Sequence, residues 1–143
     1  MRSSPWTILV LGVLAFAMIA VGMLLTLGRF RSTPAGNRLK LANEIREKFR
    51  FDSVRVDRGK EGKHETIFVQ YETEVPLYGD TAAMEKEMRD VGILVFEKCE
   101  PKDKEEVDRV HVTRHEVRRS GCDRKVLSHE VTVKNPELEK FFE

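Results

Sequence analysis

From Trp6 to Leu27 every position is apolar, glycine or threonine, and no charged residue interrupts the run. A helix of about 20 residues rises about 30 Å, the thickness of a bilayer's hydrocarbon core, so the pattern predicts a membrane-spanning helix over 6–27. A cleaved signal peptide would need a shorter apolar region and small residues ahead of the cut. Ala20-Val21-Gly22 is the one nearby match, and cutting there would leave Met-Leu-Leu-Thr-Leu at the start of a soluble domain. A buried core helix would need cover on every side, more than a domain this small supplies. The retained anchor is therefore the reading adopted, with residues 1–5 as a short tail and 28–36 (GRFRSTPAG) as a juxtamembrane linker.

Beyond the linker the period changes. In NRLKLANEIREKF, Leu41, Ile45 and Phe49 recur at every fourth position with Ala42 beside them, and Arg38, Glu44, Glu47 and Lys48 fill the other side. This predicts an amphipathic helix, capped by Thr33 ahead of Pro34 or by Asn37. Alternation then takes over in DSVRVDR and TIFVQYE. If Gly62-Lys63 is a two-residue type II′ loop, Val56 faces Val69, Val54 faces Tyr71 and Arg58 faces Ile67, which gathers the apolar residues on one face. Asp80 or Thr81 caps a second helix with Met84, Met88 and Val91 as its inner stripe. Its end is open. Val95 and Cys99 continue the helical spacing, with Ile93 then on the charged side. Gly92 as a C-terminal cap instead leaves Ile93-Leu94-Val95-Phe96 as a buried strand, the reading adopted.

EPKDKEE reads as a charged loop. Strands at 109–118 and 125–134 bracket Gly121-Cys122, a second glycine-first loop. In that register Val110 faces Val133, Val112 faces Val131 and Arg114 faces His129. Asn135-Pro136 opens a short terminal helix, ELEKFF. D-x-V-x-V-x-R occurs at 52–58 and again at 108–114, a hint of internal duplication. The sum is an α+β domain over 37–143: an antiparallel sheet of four or five strands with two helices on one face, in the order α-β-β-α-(β)-β-β.

Composition narrows the picture. The chain has 143 residues, 34 % of them charged, with a formal net charge of +1. That balance supplies no broad field for nucleic acid, and none is expected as a partner. Arg29, Arg31, Arg38 and Lys40 follow the anchor while Arg2 precedes it, so the positive-inside rule leans towards a cytoplasmic domain. A short tail inside with the domain exported suits a signal-anchor almost equally well. Cys99 and Cys122 form no C-x-x-C, and whether they pair is open.

Few constellations carry chemistry. His111, His115, His129 and Cys122 invite zinc, but the hairpin register sends His111 and His115 to one face and His129 to the other. No nucleophile has a neighbouring base, and no glycine-rich phosphate loop occurs. No cofactor or metal is expected, and a non-catalytic chain is the favoured reading. The most local feature is the basic tip of the second hairpin: Arg114, Arg118, Arg119, Arg124 and Lys125. Such a cluster could meet an anionic surface or an acidic partner, or simply keep a hairpin end soluble. The sequence thus suggests a single-pass membrane-anchored interaction module with a protein partner. A membrane-tethered enzyme or accessory subunit acting on lipid or envelope substrates is the alternative, and self-association through a sheet edge is a third.

Overall fold

The computed structural model describes residues 4–31 and 34–139, in two compact units, Met1–Gly36 and Asn37–Glu143. The first unit is dominated by α1 (Pro5–Arg31). Its 22-residue stretch Pro5–Thr26 is long and apolar enough to cross a membrane, and none of it is buried. Trp6, Phe16, Ile19 and Leu24 stand exposed, an arrangement costly in water and suited to hydrocarbon, where a helix satisfies its own backbone. Thr26 hides its hydroxyl by donating to the Gly22 and Met23 carbonyls at 3.0 and 2.9 Å. Residues 28–31, expected in the linker, continue α1, and α2 (Pro34–Phe49) starts at residue 34. Helix therefore replaces loop in the described part of the expected linker. Thr33, the expected cap, lies outside the described residues.

The second unit carries β1 (Ser53–Glu61), β2 (His64–Thr73), α3 (Thr81–Lys98), α4 (Pro101–Glu106), β3 (Arg109–Ser120), β4 (Asp123–Lys134) and α5 (Pro136–Glu139). It is α+β, with four strands in the order β1-β2-β3-β4. Both hairpins form in the expected register, Val56 opposite Val69 and Val112 opposite Val131. Gly62 and Gly121 take φ of 63° and 62° while Lys63 and Cys122 stay out of the left-handed region, as a type II′ loop requires.

One expectation needs correction: the sheet is mixed, because β2 and β3 pair in parallel. The chain between them carries α3 and α4, and α3 returns it to the end of the sheet from which β2 set out. A hairpin turn cannot make that connection. The parallel pair also bears on the duplicated motif. Its two copies lie on β1 and β3, which run in opposite directions, yet both hairpins follow the same left-to-right order beneath helices on one face. Reversing the strands while keeping that order would turn the covered face over. The two helix–hairpin units therefore do not superimpose as repeats.

One core lies between sheet and helices. Val56, Ile67, Val69, Tyr71, Val110 and Val112 meet Leu41, Ala42 and Ile45 from α2 and Met84, Met88, Val91 and Val95 from α3. Arg50 (φ 57°) turns the chain out of α2, and Phe51 then stacks on Tyr71 with ring centroids 3.9 Å apart.

The expected strand at 93–96 is helical, since α3 runs on to Lys98. Asp80 caps its start by accepting from the Ala83 amide at 3.1 Å. Leu94, Val95 and Phe96 are buried, and Cys99 extends the inner stripe, so the helical period continues past Gly92. Gly92 is there for contact, not termination. A Cβ at this position would lie 2.7 Å from Val133 Cγ2 and 3.0 Å from Val133 Cβ, so the missing side chain lets α3 lie directly on β4. EPKDKEE, read as loop, folds as α4, which Arg58 of β1 holds through Asp103 and, at 2.7 Å, Glu106. Asn135 caps α5 by accepting from the Glu137 amide at 3.0 Å and donates to the Lys104 and Val107 carbonyls at 2.9 Å. The expected terminal helix is described only to Glu139; residues 140–143 lie outside the described residues.

Gly92→Ala tests the α3–β4 contact. Helix propensity favours alanine by about 1 kcal/mol, but overpacking against a stiff, β-branched Val133 costs about 1–3 kcal/mol. A lower melting temperature is expected, partly recovered by Val133→Ala in the same chain. A rise in melting temperature with Gly92→Ala alone would show that the contact yields freely.

Candidate interaction surface

The valine face of β3 does not end in valine. Even-numbered positions continue inward past Val110 and Val112 to Arg114 and Glu116, whose side chains are 1 % and 0 % exposed. Two charges this deep persist only when nearly every polar atom is matched. Arg114 Nε donates to Glu87 Oε1 of α3 at 3.0 Å, Nη1 to Glu116 Oε2 at 2.7 Å, and Nη2 to the Val75 carbonyl at 2.7 Å. Tyr71 Oη adds a bond to Glu87 Oε1 at 2.7 Å. Glu116 Oε2 also accepts the Leu77 and Tyr78 amides at 3.1 and 2.9 Å, while its Oε1 accepts from Arg118 Nε at 2.9 Å. The cluster thus joins β2, β3, α3 and the segment between β2 and α3.

Burial works against both charges, and the hydrogen bonds reverse it. The Glu116 carboxyl is held below its ordinary range by Arg114 and Arg118 against the cost of desolvation. The Arg114 guanidinium is pushed up by Glu116 and Glu87 against the same cost. Burial first, and then the Glu87 carboxylate, push the Tyr71 phenol well above its usual value, so the hydroxyl stays a donor.

This geometry changes the reading of the basic tip. Arg114 is not a contact residue; it is inside, and the alternation that buries Val110 and Val112 buries it too. The other four positions do lie near the turn. Arg118 faces Lys125 and Arg119 faces Arg124 across the hairpin. Each arginine meets an acid: Arg118 binds Glu116, Arg119 approaches Glu74 at 3.3 Å and Arg124 approaches Glu72 at 3.4 Å. Among the described residues Lys125 forms no ion pair. The tip is consequently a charge-matched ridge, much of whose positive field is answered by β2 and the segment after it. The sequence signal for Glu116, Glu87 and Tyr71 was present only in part. Parity puts Tyr71 and Glu116 on the covered face, but nothing local brings Glu87 to them.

The opposite face of the sheet is built from the other parity. Phe68, Gln70, His111, Thr113, His115 and Thr132 share it, and no described helix of the second unit packs over it. Phe68 lies 3.3 Å from where a Gly59 Cβ would be and meets the His111 ring at 5.9 Å between centroids. His111 Nδ1 reaches Thr132 Oγ1 at 3.2 Å, and His115 Nδ1 reaches Ser128 Oγ at 2.8 Å. Cross-strand hydroxyls thus orient both imidazoles. His129 lies on the other face, as the register requires, and among the described residues no three His, Cys, Asp or Glu side chains are grouped to hold a metal ion.

Two shallow depressions flank Ile93 on the outer side of α3. One, of about 240 Å³, includes Phe96, Lys104 and Asn135; the other, of about 230 Å³, includes Phe49, Asp90 and Leu94. Glu97 borders both, with Glu137 in the first and Lys48 in the second. Cys99 is buried and Cys122 exposed, and both are free. Burial raises the Cys99 thiol. The two cysteines lie beyond opposite ends of the 12-residue β3, a length of about 40 Å that no single-chain disulfide spans. No family model, curated protein or solved structure matches the chain.

Removing one partner from the buried cluster is expected to be severe. Arg114→Met leaves Glu87 without its cation and Glu116 with only the half-exposed Arg118, and should cost about 3–5 kcal/mol of stability. Arg119→Ala, at an exposed pair, should change stability by less than about 1 kcal/mol. Chemical denaturation of the two variants tests the contrast; equal losses would show that the buried cluster contributes nothing special.

The lowered Glu116 carboxyl also sets an acid limit. A carboxyl whose folded-state pKa is depressed contributes stability that is fully present above the unfolded value of about 4.3 and is lost as pH falls through the folded value. The melting temperature should therefore drop as pH falls below about 4. Glu116→Gln should start lower at neutral pH and show a flatter acid limb; an unchanged slope would assign the acid limb to other carboxyls.

Proposed function

We propose that this protein is a single-pass membrane-anchored interaction module, with α1 as its anchor and the uncovered sheet face as its binding surface. The observation that carries the proposal is that face: largely polar, set on four paired strands and unoccupied by any described helix of its unit. Specific protein contacts use surfaces of this kind, in which aromatic and hydrogen-bonding side chains are held by a rigid scaffold. Phe68 and His111 supply aromatic area, and Gln70, Ser128 and Thr132 supply donors and acceptors. Mixed charges around the rim, including Arg55, Asp57 and Glu130, suit a protein partner better than a nucleic acid. The depressions beside α3 are shallow and lined by lysine and carboxylate side chains of the kind found on any solvated helix face, which gives an enzymatic reading no distinctive constellation.

For the anchor, the length and apolar character of α1 support integration in a bilayer, and the arginines that follow it lean towards a cytoplasmic domain by the positive-inside rule. The chain is expected to stay in the membrane pellet after alkaline carbonate extraction, and a reporter active on one side of the membrane, fused after Glu143, assigns the side. Release of the intact chain by carbonate would remove the anchor from the proposal.

For the surface, a photo-crosslinking residue at the exposed Gln70 should capture a discrete protein in intact cells, while the same group at Asp90 on the helix face should not. Adding Thr132→Lys should abolish the Gln70 product at an unchanged melting temperature. Capture from Asp90 but not from Gln70 would move the site to the other side of the domain.

A further inference from the structure

The two edges of the sheet are guarded very differently. β1 carries Arg55, Asp57, Arg58, Lys60 and Glu61 within nine residues, the charge density that keeps an edge from templating another strand. β4 is longer, with 12 residues, and between Lys125 and Lys134 its one formal charge is Glu130. It contains no proline, glycine or bulge, and its register with β3 is unbroken from Asp123 to Lys134. Among the described residues no backbone hydrogen bond joins the outer edge of β4 to another element. In a two-residue hairpin Ser120 and Asp123 exchange hydrogen bonds, so the amides and carbonyls of Arg124, Val126, Ser128, Glu130 and Thr132 point outward. Val126 is 43 % exposed on this edge.

We infer that β4 pairs antiparallel with β4 of a second copy of this chain, across a two-fold axis passing through Leu127 perpendicular to the sheet. Such an axis keeps the helix-covered faces on one side, so residues of equal parity must oppose each other. Residue pairs whose outward groups exchange hydrogen bonds must come from the even set. Three central registers satisfy this. With His129 on the axis, Arg124 would oppose Lys134. With Ser128 on the axis, Arg124 would oppose Thr132 and Val126 would oppose Glu130.

With Leu127 on the axis, Arg124 opposes Glu130 of the second copy, twice by symmetry; Val126 opposes Ser128; and the two Leu127 side chains meet at the centre. This register makes about eight backbone hydrogen bonds and continues the sheet to eight strands. Arg124 and Glu130 are available for it. Their contacts within the chain are long, 3.4 Å to Glu72 and 3.5 Å to His111, and both side chains are more than half exposed. Sequence complementarity and an unguarded edge thus favour the same partner, and neither depends on the face proposed above.

The test uses the full chain in detergent micelles with Cys122→Ser. Leu127→Cys should give a disulfide-linked dimer on mild oxidation, because facing Cβ atoms at a non-hydrogen-bonded antiparallel site lie about 4.5–5.5 Å apart. Thr132→Cys should remain monomeric, its two copies being about 33 Å apart along the strands. In the Leu127→Cys chain, Arg124→Glu or Glu130→Arg alone should lower dimer yield about fivefold, and the two together should restore it. Equal cross-linking at 127 and 132 would indicate chance collision in the micelle and overturn the register. No dimer at 127, or no rescue by the double exchange at an unchanged melting temperature, would overturn the inference.

Discussion

The pairing of Arg114 with Glu116 beneath α3 is the contact on which the second unit depends. Without its partners each charge would face an apolar interior, where desolvation costs several kcal/mol per ion. With them, three guanidinium nitrogens and both carboxylate oxygens are used. The geometry is specific as well as compensating. Glu87 sets the position of α3 along its axis, and Tyr71 ties the same carboxylate to β2. The Leu77 and Tyr78 amides close the segment before α3 onto the end of β3. An apolar core tolerates small slides of a helix over a sheet; this cluster does not.

A second constraint follows from chain direction. Because α3 lies between β2 and β3, those strands run parallel, and each hairpin contributes one strand to the centre and one to an edge. The centre holds the buried residues of β2 and β3. The edges differ because β1 is charged throughout and β4 is charged mainly at its ends. The same topology separates the faces: one closes on α2 and α3, and the other shows Phe68, Gln70 and the two oriented histidines. Gly92 fits this frame, its absent side chain allowing α3 to approach Val133.

Much of this was legible in the chain before folding. Alternation in 52–72 and 109–134, with a glycine leading each loop, was enough for both registers, because a one-residue slip would move every valine to the wrong face. Asn135 was legible as a cap from its chemistry, and the cap of α3 was narrowed to Asp80 or Thr81. Gly92 was misleading. Glycine after a helical stripe commonly marks a helix end, and only contact with β4 reveals a packing role. Arg114 was misleading in another way: clustered in sequence with Arg118 and Arg119, it looked like part of a basic tip, although its parity already placed it among the valines.

Local rules therefore determined what short-range sterics and solvent contrast can decide: an apolar helix of membrane length, two hairpins and their registers, and the caps of α3 and α5. The parallel junction of the hairpins, the continuation of α3 through residue 96 and the enclosure of Arg114 by Glu87 and Glu116 were decided by tertiary structure alone. Each depends on residues brought together from distant parts of the chain. There, burial is tolerated only when the matching group arrives, and no window of sequence contains both halves of the match.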